Sequence, residues 1–216
     1  MADLFEGLAG AEPARETIAE GAVLLRGFAR PVEPDLTAAL REIVGQAPFR
    51  HMSTPGGHQM SVAMTNCGSA GWVTDRSGYR YDAIDPQSGM PWPAMPPVFS
   101  SLAERAAAEA GFDGFASDAC LINRYQPGAR MSLHQDKDEN DFGAPIVSVS
   151  LGLPAIFLFG GLKRSDKTQR YRLQHGDIVV WGGPARLVFH GVAPLADGEH
   201  VLLGRQRINL TFRKAR

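Results

Sequence analysis

At 216 residues the chain is long enough for one sizeable domain, and 44% hydrophobic with 21% charged residues describes a globule with a full core, not a fibrous or disordered chain. A net charge of −1 gives no global pull toward nucleic acid or anionic lipid, so a polyanionic partner has to be held by a local patch. Cys67 and Cys120 form no ligand-spaced cluster, the acidic start MADLFEGLAG lacks a secretory pattern, and the apolar run LGLPAIFLFGGL is broken by Pro154 and glycines. These features lead us to expect a cytoplasmic protein with reduced thiols and no membrane association.

Residues 1–20 have weak periodicity and read as an appended or loosely packed segment. AVLLRGF (22–28) is short, apolar and contains Gly27, which suits a strand. From Pro34 the apolar residues Leu36, Leu40, Ile43 and Val44 recur at helical spacing, which predicts a helix to about Gln46. A second helix follows Pro96 and Pro97, with Phe99, Leu102, Ala103, Ala106 and Ala110 on its apolar face and Gly111 as its stop. Between the helices, residues 50–95 are rich in Gly, Pro, Ser and Thr around one alternating segment, MSVAMT. There GWVTDRSGYRYDAIDPQ gathers Trp72, Tyr79 and Tyr81 around Arg76 and Arg80. Aromatics beside arginines on loops can stack a flat ring and hold a phosphate, and they can equally anchor a loop to the core.

After Ala119 the chain becomes strand after strand: ACLINRY, PIVSVSLGL, AIFLFGG, RYRLQ, DIVVWGG, LVFHGV and RINLTFR, separated by turns such as QPGA and GGPA. Seven short strands at this spacing predict a mainly β protein, a sandwich or jelly-roll barrel, not alternating βαβ units. The organising stretch is LINRYQPGARMSLHQDKDE. His134 and Asp136, two apart after a strand-like segment carrying Asn123 and Tyr125, can face one metal ion from one side. With His190 from RLVFHGV as a third ligand, the set is the facial triad of non-haem Fe(II) oxygenases; two surface residues in a loop would show the same His-x-Asp spacing.

RINLTFR alternates without a break, with Arg207, Asn209, Thr211 and Arg213 on one face and Ile208, Leu210 and Phe212 on the other. The polar face either meets solvent, as in an edge strand, or lines a cavity for an anion with two acidic ends. In the second case the outer arginines, roughly 20 Å apart along the strand, must lean toward one small diacid. An open triad and an arginine-lined pocket together suggest iron with 2-oxoglutarate. A hydrolytic nucleophile is not indicated, since there is no GxSxG and neither cysteine lies in an activating context. A zinc hydrolase could use the same three ligands but would have no use for two arginines on one wall.

NRYQPGARMSLHQDKDE, PIVSVSLGLPAIF, FGGLKR, HGDIVVWGG and RINLTFR, with MSVAMTNCG, GWVTDRSGYRY and PWPAMP before them, strongly resemble the bacterial AlkB family of alkylated-DNA repair dioxygenases, over roughly Phe49 to Arg213. The resemblance implies a double-stranded β-helix, a cupin-like jelly roll with flanking helices. The chain then divides into an extension with strand and support helix (1–48), a nucleotide-recognition lid (49–95) and a support helix with the dioxygenase core (96–216), all one compact domain. It also implies His134, Asp136 and His190 as iron ligands and Asn123, Tyr125, Arg207, Asn209 and Arg213 as the 2-oxoglutarate site. Trp72, Tyr79, Arg80 and Tyr81 would form the lid, with Asp138 and Arg164 as further contacts to the damaged base and nucleic acid.

The implied reaction uses Fe(II), 2-oxoglutarate and O2 to remove methyl groups from 1-methyladenine- and 3-methylcytosine-type lesions, releasing formaldehyde, succinate and CO2. The implied substrate is single-stranded DNA flipped or already unpaired, with double-stranded DNA and RNA as further candidates, acted on by a monomer. Loop 165–172 and HVLLGRQ match no pattern. An oxygenase acting on a protein or small molecule shares every core residue and differs only in 50–95, and a non-catalytic or zinc-bound β-barrel module is a third alternative.

Overall fold

The computed structural model describes residues 14–216. Among these, fourteen strands and two α-helices build two facing sheets and one separate hairpin. The major sheet has eight strands in the order β1 (Arg15–Ala19), β2 (Ala22–Leu25), β12 (Ile178–Trp181), β9 (Ile146–Gly152), β14 (Arg207–Arg213), β7 (Ala119–Tyr125), β4 (Gln59–Gly68) and β3 (Arg50–Ser53). The minor sheet runs β11 (Gln169–Leu173), β10 (Ala155–Phe159), β13 (His190–Val192) and β8 (Met131–His134). This is the jelly roll expected from the strand spacing.

The helices α1 (Glu33–Gln46) and α2 (Pro97–Glu109) cover the outer face of the major sheet. Each begins with proline in its first turn, where the missing N–H costs nothing, and α1 adds Glu33 and Asp35 at its positive end. Leu36, Leu40 and Ile43 of α1 and Phe99, Leu102 and Ala106 of α2 pack against alternate residues of the strands, and the Phe99 ring meets Phe212 edge-on at 5.8 Å. Cys67 and Cys120 are free, buried and directly opposite each other across β4 and β7. Among the described residues no helix is long and apolar enough to cross a membrane.

The alternation of β14 places Ile208, Leu210 and Phe212 in this outer core. All seven residues of the strand are buried, because the opposite face looks into the space between the sheets and not into solvent. β9 carries the same two-sided pattern, with Val147, Val149 and Leu151 toward the helices and Ser148 and Ser150 inward.

Four expectations change. Residues 15–19 are an edge strand paired with β2; three of its five residues are exposed, so pairing and not burial makes the strand and the sequence carries no strong period. Residues 1–13, expected as loose, lie outside the described set. The segment 49–95, expected as a lid, also supplies sheet: β3 and β4 belong to the major sheet, with Val62–Cys67 buried without a break, while β5 (Gly71–Asp75) and β6 (Gly78–Asp82) stand apart as a hairpin. LVFHGV is strand only from His190, since the preceding residues turn, with Val188 N–H donating to Ala185 O. The short β8 was not foreseen, because MSLH is too brief and polar to show a period.

Candidate metal and cosubstrate centre

The two histidines are brought together by strand pairing: His190 opens β13 directly across from His134, the last residue of β8. Their rings lie 4.4 Å apart. Gly191 permits that approach, since a Cβ there would lie 2.7 Å from Met131 O on the neighbouring strand. Asp136 follows on the loop after β8, with Oδ1 3.5 Å from His134 Nε2 and Oδ2 3.8 Å from His190 Nε2. One ligand atom from each of the three lies within 4.8 Å of the others.

Both rings are fixed in one tautomer. The Nδ1–H of His134 donates to Ser132 O (2.8 Å) and that of His190 to Val188 O (3.0 Å), which leaves both Nε2 lone pairs facing Asp136. Burial, aided by the charge of His134, pushes the His190 pKa down to about 4. For His134 burial also acts downward, but the hydrogen bond and charge of Asp136 outweigh it and hold the pKa above its ordinary value. Burial would raise Asp136, yet Arg213 and the two imidazoles hold it well below the usual carboxylate range. An anionic carboxylate and two preset imidazoles fit a divalent iron and leave its other positions open.

Beside the triad lies a polar row that an edge strand would not have. Asn209 on β14 stands opposite Asn123 on β7 and Ser150 on β9, and Arg207 stands opposite Tyr125. Arg207 is 1% exposed, donates from Nη2 to Ser150 Oγ (2.9 Å) and lies over the Tyr125 ring. Its Nε and Nη1, and Asn123 Oδ1, are buried with no hydrogen-bond partner among the described residues. Buried guanidinium donors without acceptors are costly, and a carboxylate between the sheets would satisfy them. Arg213, at the other end of the strand, donates from Nη2 to Asp136 Oδ2 (2.7 Å). The two arginines therefore line one interior, one beside the metal ligands and one deeper.

The hairpin reaches the same place. Trp72 Nε1 donates to Asp138 Oδ2 (2.8 Å), the Trp72 and Tyr79 rings stack at 5.7 Å and 22°, and Tyr81 OH donates to Glu139 Oε1 (2.6 Å). Burial, with the charge of Glu139 beyond it, keeps the Tyr81 hydroxyl protonated by raising its pKa well above the ordinary value. Arg80, expected to face substrate, is engaged by Asp75 (2.9 Å) and Asp82 (3.6 Å) across the hairpin. Arg164 is exposed and lies over the Phe189 ring, next to His190. Glu139 and Arg186, which the sequence does not single out, form a buried ion pair at 3.0 Å; two buried charges 47 residues apart leave no spacing signal.

A jelly roll with a two-His, one-carboxylate centre and a buried arginine wall defines the class of Fe(II)/2-oxoglutarate oxygenases. The model of the 2OG-Fe(II) oxygenase superfamily matches residues 21–213. The chain is 60% identical to the alpha-ketoglutarate-dependent dioxygenase AlkB of Escherichia coli strain K12, over 100% of this chain and 98% of that protein. It is 30% identical to the DNA N(6)-methyladenine demethylase ALKBH1D of Arabidopsis thaliana, covering 92% of this chain and 50% of that one. The solved structure of OsALKBH1 superposes with a TM-score of 0.80 at 28% identity, over 93% of this chain and 100% of that one. The chain belongs to the 2OG-Fe(II) oxygenase superfamily and, within it, to the AlkB family of alpha-ketoglutarate-dependent dioxygenases. Its cofactor is Fe(II), and its cosubstrates are 2-oxoglutarate and O2.

Proposed function

We propose that this oxidoreductase removes N-linked methyl groups from bases of single-stranded DNA, of the 1-methyladenine and 3-methylcytosine type, as a monomer. The observation that carries the substrate reading is the Trp72–Tyr79 stack hydrogen-bonded to Asp138, two residues beyond the metal ligand Asp136. A stacking platform takes any base, and a carboxylate beside it favours a base that is cationic or offers an exocyclic amine. That DNA is acted on agrees with what the name of the Arabidopsis relative says of that protein. A base held in a duplex cannot reach a triad that lies between two sheets, so it is flipped out or already unpaired.

His134, Asp136 and His190 would hold Fe(II). Asn123, Tyr125, Arg207, Asn209 and Arg213 would hold 2-oxoglutarate, with the unpartnered donors of Arg207 taking a carboxylate. Bound there, iron with its two cosubstrates supplies oxidation of the methyl C–H bond to a hydroxymethyl group, which leaves as formaldehyde. The protein orients both partners and excludes water. Ser150 and Tyr125 fix Arg207, while Ser148 Oγ and Val149 O fix the Asn209 amide at 2.8 and 2.9 Å. Trp72, Tyr79, Tyr81 and Asp138 would present the base, Arg164 a contact to the strand, and Arg80 the stiffness of the hairpin.

Mass spectrometry of a methylated single-stranded oligonucleotide, incubated with the protein, ferrous iron and 2-oxoglutarate, tests this: loss of the mass of one CH2 unit, as N–CH3 becomes N–H, with release of formaldehyde is expected. An unchanged oligonucleotide, with 2-oxoglutarate turnover no faster in its presence than in its absence, would overturn the nucleic-acid reading and favour a protein or small-molecule substrate. Matched duplex and RNA oligonucleotides decide the breadth.

A further inference from the structure

Glu139 lies three residues beyond Asp136, is 5% exposed, and has no part in the reaction derived above. Its two oxygens meet three elements. Oε1 accepts from Tyr81 OH of the hairpin at 2.6 Å and lies 3.3 Å from Arg213 Nε of β14; Oε2 accepts from Arg186 Nη2 at 3.0 Å. Arg186 also donates to the backbone oxygens of Asp136 (2.7 Å) and Ala144 (3.0 Å), and so pins the loop on both sides of Glu139. A carboxylate held this way does not follow its partners. Tyr81 and Arg213 share its Oε1, and the tyrosine makes the shorter bond. An acceptor oxygen already engaged at 2.6 Å by a hydroxyl exerts less hold on a guanidinium at 3.3 Å.

We propose that Glu139 is a positioning residue linking the hairpin to the cosubstrate arginine: with Tyr81 docked on Glu139, Arg213 stays on Asp136, to whose Oδ2 it donates from Nε (3.1 Å) and Nη2 (2.7 Å), and so beside the metal ligands where the dicarboxylate would bind, and with the hairpin lifted, Glu139 draws Arg213 toward itself. This rests on the reading above that Arg213 binds 2-oxoglutarate. Linkage makes the effect reciprocal. If a closed hairpin strengthens 2-oxoglutarate binding by some factor, 2-oxoglutarate strengthens binding of the nucleic acid that closes the hairpin by the same factor. A damaged strand would thereby prime the site for turnover.

The test is a binding cycle, not an activity. Calorimetry on the Mn(II)-loaded protein under argon gives the 2-oxoglutarate Kd with and without a saturating methylated single-stranded oligonucleotide. The wild-type ratio of the two Kd values is expected to be about fivefold to tenfold. Tyr81→Phe, which deletes one hydroxyl, is expected to bring the ratio to within about twofold of unity while Mn(II) affinity without 2-oxoglutarate is unchanged. A direct contact between Tyr81 and the base would weaken the oligonucleotide equally with and without 2-oxoglutarate, so only the ratio reports the link. Glu139→Gln keeps the shape and removes the charge, and should abolish the ratio in the same way; Tyr81→Phe carries the test if that variant does not fold. A ratio of one in the wild type, or a full ratio in Tyr81→Phe, overturns the link. Arg213→Lys separates the two readings: weakened 2-oxoglutarate binding there, with the ratio intact in Tyr81→Phe, overturns the link alone, whereas unchanged 2-oxoglutarate binding removes the role of Arg213 and the link with it.

Discussion

His134 and His190 are shifted in opposite directions before any metal arrives, and this sets how acid acts on metal binding. His190, with a pKa of about 4, is neutral throughout the neutral range and needs to release no proton. His134 titrates above its ordinary value, and its free Nε2, facing Asp136 Oδ1, is the atom that takes the proton. A metal ion competes with that proton. Below the raised pKa of His134, affinity for Mn(II) is therefore expected to fall by about tenfold per pH unit, one proton being displaced per ion. Titrations of Mn(II) across the neutral range, with proton release followed in parallel, check this; a loss of affinity only near pH 4 would assign the controlling group to His190. A second prediction concerns Arg207. Arg207→Lys keeps the charge but loses the planar fork, and should raise the 2-oxoglutarate Kd by about tenfold to a hundredfold with Mn(II) affinity unchanged. Arg207 is the cleaner probe for this purpose, because removing Arg213 would also strip Asp136 and Glu139 of a buried counterion.

At the scale of elements, β14 is the strand whose two faces do separate jobs. Its apolar face can be weakened without touching the centre. Phe99→Ala on α2 removes the ring that meets Phe212, and should cost about 3–5 kcal/mol of stability in urea unfolding while leaving the 2-oxoglutarate Kd of the folded protein as it was. A changed Kd would mean that the strand transmits strain between its faces. The alternation of RINLTFR made this division legible in the sequence, as did the His-x-Asp pair and the proline starts of both helices. What stayed hidden has physical reasons. β1 is held by pairing, β8 is four residues long, and the lid-like composition of 50–95 masked the buried run Val62–Cys67 that belongs to the major sheet. Glu139 and Arg186 look like surface charges until the fold brings them together.

Across the whole molecule, the triad sits where the minor sheet and the β8–β9 loop meet, and the hairpin is a two-stranded piece outside both large sheets. Metal binding and substrate binding should therefore separate in a thermal-shift experiment. An ion that binds the folded chain alone stabilises it by RT ln(1 + [L]/Kd), about 2.7 kcal/mol at a hundredfold excess over Kd, or roughly 5–10 °C for a chain of this length. Mn(II) is expected to produce that shift in the wild type and in Trp72→Ala, whose indole touches Asp138 and Tyr79 but none of the three ligands. In His190→Ala the shift should vanish, since the ligand set loses the strand-borne member paired against His134. Trp72→Ala should in turn still consume 2-oxoglutarate without substrate yet repair a methylated oligonucleotide poorly. Normal repair by that variant would detach the hairpin from base recognition, and a lost Mn(II) shift in it would show that the hairpin is part of the metal centre's own support.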